Sequence, residues 1–172
     1  MTKFLTKAAL AATVAFLATP ALAAPAGTSA FDAKAKIVKP VTLTKVTDLD
    51  FGTTTMNPTL TSATVTVADV TGSVAVCSSA QLTCASGFPA SFNLTSGVGG
   101  QTVQMSFTTP PTKLDHASIV GASVPFALDA IEDVVLSSSG AGSFNVGGQI
   151  TVVSGTADGL YSATVNVVAN YL

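Results

Sequence analysis

The sequence predicts an all-β protein built as an antiparallel sandwich, and three observations carry that expectation. Short stretches rich in Val, Thr, Phe and Ile recur along the chain. Clusters of Gly, Pro, Asn and Ser separate them. The closing residues, GLYSATVNVVANYL, alternate with a period of two. Gly159, Tyr161, Ala163, Val165, Val167, Ala169 and Tyr171 make one apolar face, and the residues between them are mostly polar. Successive side chains of a strand point to opposite faces, so this is the pattern of a strand with one face buried.

The N-terminus reads differently. Lys3 and Lys7 flank the start of a small, apolar run, Ala8–Ala18, which is followed by the A-x-A signal Ala21-Leu22-Ala23. Residues 1–23 are read as a secretory signal peptide whose apolar part is shorter than the ~20 residues of a membrane span. No cysteine lies near the cut, so a lipoprotein anchor is not supported. Residues 24–172 then have the size of one domain, and no later segment is apolar enough to span a membrane. They carry five Lys, no Arg and nine acidic residues, a formal charge of −4. With no basic stripe, a nucleic-acid partner is not expected.

Residues 24–36 form an N-terminal extension ahead of a sandwich domain at 37–172. Ala24–Ala30 is small and polar. Phe31, Ala33, Ala35 and Ile37 then alternate with Asp32, Lys34 and Lys36, and after Pro40 the alternation resumes in Val41 and Leu43. Proline cannot donate to a ladder, so two short strands broken at Val38-Lys39-Pro40 are expected. Along the chain, strands are expected at Ile37–Thr44, Ala63–Val67, Val74–Cys77, Ala90–Leu94, Val103–Phe107, Ser143–Val146, Gln149–Val153 and Tyr161–Tyr171. Asn57-Pro58, Gly97–Gly100, Pro110-Pro111, Ser138–Gly142 and Gly155–Gly159 mark turns between them. Seven or more short strands with such turns argue for a sandwich of immunoglobulin-like shape. Leu128, Ile131 and Val135 stand at helical spacing, so one short helical turn is expected within Ala127–Leu136.

Cys77 and Cys84 are the only cysteines. In an exported chain the pair reads as a disulfide. The competing reading, a metal pair, has no His or carboxylate near either thiol. Closing a loop of about eight residues stabilises by roughly 2.5 kcal/mol through chain entropy.

Nothing in the chain assembles an enzyme. His116, the only histidine, stands beside Asp115 and reads as a surface residue. No serine sits in a G-x-S-x-G elbow. Asp48 and Asp50 flank Leu49 and read as solvent-facing acids beside a buried Leu49 and Phe51, in preference to a carboxylate pair. Gly97-Val98-Gly99-Gly100 lacks the basic residue and following helix of a phosphate cradle. Asp129, Glu132 and Asp133 match no calcium loop. A carbohydrate platform is disfavoured, because there is no Trp and the two tyrosines, Tyr161 and Tyr171, lie on the apolar face of the last strand. No catalytic residue, metal or cofactor is expected.

The terminal residues carry a resemblance. A glycine fourteenth from the end and a tyrosine next to last resemble the ending of pilin subunits assembled by the chaperone–usher route, and Gly159 and Tyr171 occupy those places. AKAKIVKPVTLT (Ala33–Thr44), LDFG (Leu49–Gly52), FNVGG (Phe144–Gly148) and GLYSATVNV (Gly159–Val167) resemble the secreted bacterial domains of unknown function 4402. Ala163 departs from that family's usual glycine. Placing LDFG after an N-terminal strand also resembles the archaic and alternative pilins.

The resemblance implies a sandwich that is incomplete beside its last strand and is finished by a donated N-terminal strand. The donor would first come from a periplasmic chaperone and then from the extension of another copy or a related subunit, delivered through an outer-membrane usher. Phe31, Ala33, Ala35 and Ile37 would be the donor face; Gly159, Tyr161, Val165, Val167 and Tyr171 would line the acceptor. The implied function is a structural subunit of a fimbrium, exported to the periplasm and then to the cell surface. The alternative is a self-contained secreted or periplasmic sandwich, completed by its own extension, with a matrix or ligand-binding role.

Overall fold

A computed structural model describes residues 27–172. The signal peptide expected at 1–23 and the first residues of the extension lie outside the described residues. The chain divides into two units, Met1–Ala35 and Lys36–Leu172. In the first, residues 27–35 are exposed coil, with one ion pair between Lys34 and Asp32 at 3.6 Å.

The second unit is all-β, and no helix occurs among the described residues. The expected helical turn at Ala127–Leu136 is absent. There β9 (Ser123–Leu128) ends, an irregular segment follows, and β10 (Val134–Val135) begins. Leu128 reaches the core from β9 and Ile131 from the irregular segment, whereas Val135 is exposed.

Fourteen strands form four antiparallel sheets. The largest orders β13 (Tyr161–Ser162), β8 (Lys113–His116), β9, β12 (Gly148–Val153), β3 (Ser62–Val67) and β4 (Val76–Cys77). A three-stranded sheet joins β1 (Thr42–Thr47), β6 (Ala90–Thr95) and β11 (Gly142–Val146), and another joins β10, β7 (Thr102–Thr108) and β14 (Asn166–Tyr171). A ribbon of β2 (Thr53–Met56) and β5 (Leu82–Ala85) stands apart. The arrangement is consistent with a β-sandwich.

Period-two patterning sets which face is buried. In β3 the apolar Ala63, Val65 and Val67 are buried, and the intervening Thr64 and Thr66 are not. Val103 and Met105 do the same in β7. The core falls into two clusters. One gathers Phe51, Leu60, Val65, Leu82, Phe126 and Val152. The other gathers Leu94, Val103, Met105 and Leu136. No charged or polar side chain is fully buried among the described residues.

Two of the chain's changes of sheet bear on the site. Gly147 alone separates β11 from β12. A Cβ there would stand 2.4 Å from both Asp129 Oδ2 and Val67 O, so only glycine fits. The second change corrects the expected single strand at Tyr161–Tyr171. It is two pieces, β13 on β8 and β14 on β7, separated by Ala163–Val165. The expected first strand is also revised. Ile37–Val41 is coil, and β1 starts at Thr42, beyond Pro40.

Cys77 and Cys84 form the expected disulfide, with Cα atoms 5.8 Å apart. It ties β5, and through β5 the β2 ribbon, to β4 on the largest sheet. Cys84→Ser is expected to lower stability by about 2–3 kcal/mol, seen as a lower urea midpoint.

Burial, and secondarily the Asp69 carboxylate, hold the Asp129 carboxyl above its ordinary range. A raised carboxyl favours the folded state while it is protonated, and that contribution is lost as pH rises through the raised value. Asp129→Asn is therefore expected to raise the urea midpoint at pH 7. It should change little at about pH 3, where the acid is largely protonated in both states.

Candidate functional site

The candidate site is built around the terminal ribbon. β14 pairs with β7 over six residues, from Asn166 opposite Thr108 to Tyr171 opposite Val103. Leu172 N–H continues the ladder to Thr102 O at 3.2 Å. In an antiparallel ladder hydrogen-bonded pairs alternate with non-bonded ones. The bond from Leu172 therefore turns the backbone groups of Asn170, Val168 and Asn166 toward β7. Those of Tyr171, Ala169 and Val167 face the other edge, where no strand pairs among the described residues.

Beside that edge, inward-pointing side chains stay partly exposed. Every residue of the apolar face from Tyr161 to Tyr171 is half-buried or exposed, and none is fully buried. Phe92 in β6 and Phe107 in β7 point to the interior and are also only half-buried. Tyr161, Ala163, Val165, Val167, Phe92 and Phe107 border a cleft of about 450 Å³. Its terminal-ribbon wall is Tyr161–Val165 with Val167; Lys45, Asp48 and Leu49 stand among its other lining residues, with Phe92, Phe107 and Phe126. A second cleft, of about 640 Å³, is lined by Thr53–Met56, Val124, Ile150 and Val152 with Thr156–Tyr161. Phe51, Leu114 and Tyr161 belong to both, so the two clefts form one groove divided by a shared wall.

The residues around that wall have clear local causes. Phe51 is buried and meets Phe126 edge-on, with ring centroids 6.0 Å apart. Asp50 is held by reciprocal backbone bonds with Phe88 at 3.0 and 2.8 Å, and its Oδ1 accepts from Gly52 N–H at 2.7 Å. Asp48 pairs with Lys45 at 2.6 Å. The two acids thus serve the local backbone and the rim, beside a half-buried Leu49 and a buried Phe51.

His116, expected at the surface, is half-buried and engaged at both ring nitrogens. Its Nδ1 accepts from Ser118 N–H at 3.0 Å and Ile119 N–H at 2.9 Å, and its Nε2 lies 2.9 Å from Asp158 O. The tautomer with hydrogen on Nε2 satisfies all three contacts. The ring also meets Tyr161 edge-on at 4.9 Å. Gly159 has φ +143°, and a Cβ on it would lie 2.2 Å from His116 Nε2. The terminal-ribbon glycine is thus required twice over, by its backbone angle and by the imidazole against it.

The family match follows this architecture. The description "Domain of unknown function (DUF4402)" matches residues 41–171. The chain belongs to the DUF4402 family. No curated protein and no solved structure matched it. The DUF4402 match begins at Val41, just ahead of β1, and ends at Tyr171, the last residue of β14. It spans the groove and leaves Phe31, Ala33, Ala35 and Ile37 outside.

Of the expected acceptor residues, Tyr161, Val165 and Val167 share the first cleft, and Gly159 and Tyr161 line the second. Tyr171 lines neither cleft. It packs on the second core cluster, and its hydroxyl accepts from Val98 N–H at 2.9 Å, anchoring the end of the DUF4402 domain on the Gly97–Gly100 loop. Phe31, Ala33, Ala35 and Ile37 are all exposed coil, Phe31 and Ile37 at 90% and 95%. Sequence reading missed Phe92, Phe107, Leu114 and the His116 joint. LDFG pointed at Phe51, but nothing local distinguishes a half-covered Phe92 or Phe107 from a buried one.

Gly159→Ala is expected to lower the stability of the DUF4402 domain by about 1–3 kcal/mol. Chemical denaturation of the variant beside the parent checks this.

Proposed function

We propose that this protein is a structural subunit of a bacterial surface fibre that polymerises by β-strand donation. The observation that carries the reading is the half-covered apolar face along an unpaired strand edge. Bare ladder groups and bare core side chains lie side by side there, and a single added strand satisfies both. β-Strand addition works in this way: main-chain bonds supply affinity and alternate side chains supply register.

The extension is a suitable donor. Phe31, Ala33, Ala35 and Ile37 alternate along it and are exposed to solvent. If a donor strand buries on the order of 500 Å² of apolar surface, burial contributes roughly 12 kcal/mol before ordering costs. That is enough for a polymer that persists without covalent links. In this reading the chain is exported behind its signal peptide. A periplasmic chaperone covers the groove until an outer-membrane usher exchanges it for the extension of the next subunit. No cofactor takes part.

Removing residues 24–36 from the processed chain tests the proposal. The intact protein is expected to give a ladder on an unheated denaturing gel, and the truncated protein a single monomer band. Two equally stable monomers would instead favour a self-contained secreted domain.

A further inference from the structure

Resting on the donation reading, we infer that charge selects which parts of two copies meet: a cationic N-terminal arm is steered to an acidic domain, and like parts hold each other off. The free edge of β14 cannot make that selection. Its N–H and C=O groups are those of any strand, and its sequence, NVVANY, carries no charge. That edge offers the same bonds to another β14 as to a donated strand.

Charge is unevenly divided along the chain. The exposed coil ahead of β1, residues 27–40, holds Lys34, Lys36 and Lys39 against Asp32, a formal charge of +2. Residues 41–171 hold two lysines against eight acidic residues, a formal charge of −6. Both lysines of the domain are already taken, Lys45 by Asp48 at 2.6 Å and Lys113 by Asp115 at 2.9 Å. Asp50, Asp69, Asp129, Glu132, Asp133 and Asp158 have no basic partner among the described residues. The arm is the reverse. Lys36 Nζ donates to the neutral Gln101 Oε1 at 2.5 Å. Lys34 meets Asp32 at 3.6 Å with both side chains exposed, a pair worth little in water. Lys39 has no acidic partner among the described residues.

Placement suits steering. The charged residues at the cleft mouths are Lys45 and Asp48 at the first, and Asp50 and Asp158 at the second, all exposed. With Lys45 tied to Asp48, the unmatched charges there are both negative. On the arm, Lys34 and Lys36 alternate with Phe31, Ala33, Ala35 and Ile37, so in an extended strand they stand on the opposite face. Burying the apolar face leaves both lysines in water. Charges that stay solvated raise the rate of encounter more than the final affinity, and they act over about 8 Å at physiological salt. Three encounters are open to two copies. Arm against arm sets two positive bodies together, and domain against domain two negative ones. Only arm against domain is attractive, and the repulsion in the other two sharpens the choice. That contact is heterologous, the kind an open fibre repeats.

Time courses on unheated denaturing gels test the inference. The processed chain, unfolded in urea and diluted into buffer, is expected to build its ladder about tenfold more slowly in about 500 mM NaCl than in about 20 mM, and to reach the same final ladder. The chain carrying Lys34→Glu, Lys36→Glu and Lys39→Glu should lag the parent about tenfold in low salt and match it in high salt. A time course indifferent to salt overturns charge selection while donation stands. So does a reversed arm that keeps the parent's rate in low salt, or one that lags equally at both salts. An unaltered chain that builds no ladder overturns donation and charge selection together.

Discussion

The organisation of this molecule depends on one constraint: among the described residues, β14 is hydrogen-bonded along one edge only. β14 takes its partner from β7, and the ladder turns the N–H and C=O groups of Val167, Ala169 and Tyr171 away from it. Exposed edges invite pairing with another chain, and proteins usually blunt them with charge, proline or a bulge. β1 shows two of these devices, with Lys45 in the strand and a register shift between Lys45 and Thr47. β14, reading NVVANY, has no charge and no proline, and its ladder is regular. An edge left in this state beside half-covered phenylalanines is the physical basis for reading the groove as a strand acceptor.

The rest of the architecture holds that edge in place. The stretch leading into it, on the largest sheet, is fixed by Gly159, His116 and Tyr161, whose hydroxyl donates to Ala157 O at 2.8 Å. Its end is fixed by the Tyr171 hydroxyl on Val98. The part of the groove lined by β2 depends on β5, which the Cys77–Cys84 bond fastens to the main sheet. On the proposed reading the groove receives a strand, and that needs rigid rims. These anchors supply rigidity without filling the space between them.

Two sheet changes, out of several along the chain, flank the groove. Gly147 sends the chain from the β6 sheet to the largest sheet, and Ala163–Val165 sends it from the largest sheet to the β7 sheet. Interior side chains gather in two clusters. Phe51, Leu114 and Tyr161 remain as the wall between the clefts.

Much of this was legible in the residues themselves. Alternation in Ala63–Val67, Val103–Phe107 and the terminal stretch marks strands because side-chain direction in a strand repeats every two residues. The cysteine spacing announced the disulfide, and GLYSATVNVVANYL drew attention to the rim. Short or polar strands were not legible. β2 is a threonine run, β8 reads KLDH and β9 contains Pro125, so each owes its extended form to a neighbour and not to its own pattern. The break in the terminal ribbon was hidden for the same reason, since alternation continues unbroken across Ala163–Val165 while its partner changes from β8 to β7. What the sequence determined alone was which residues can face a core, because periodicity is a property of the backbone. Whether that core is covered was decided only by the tertiary structure, because cover depends on which strand lies alongside, and pairing is made between segments far apart in the chain.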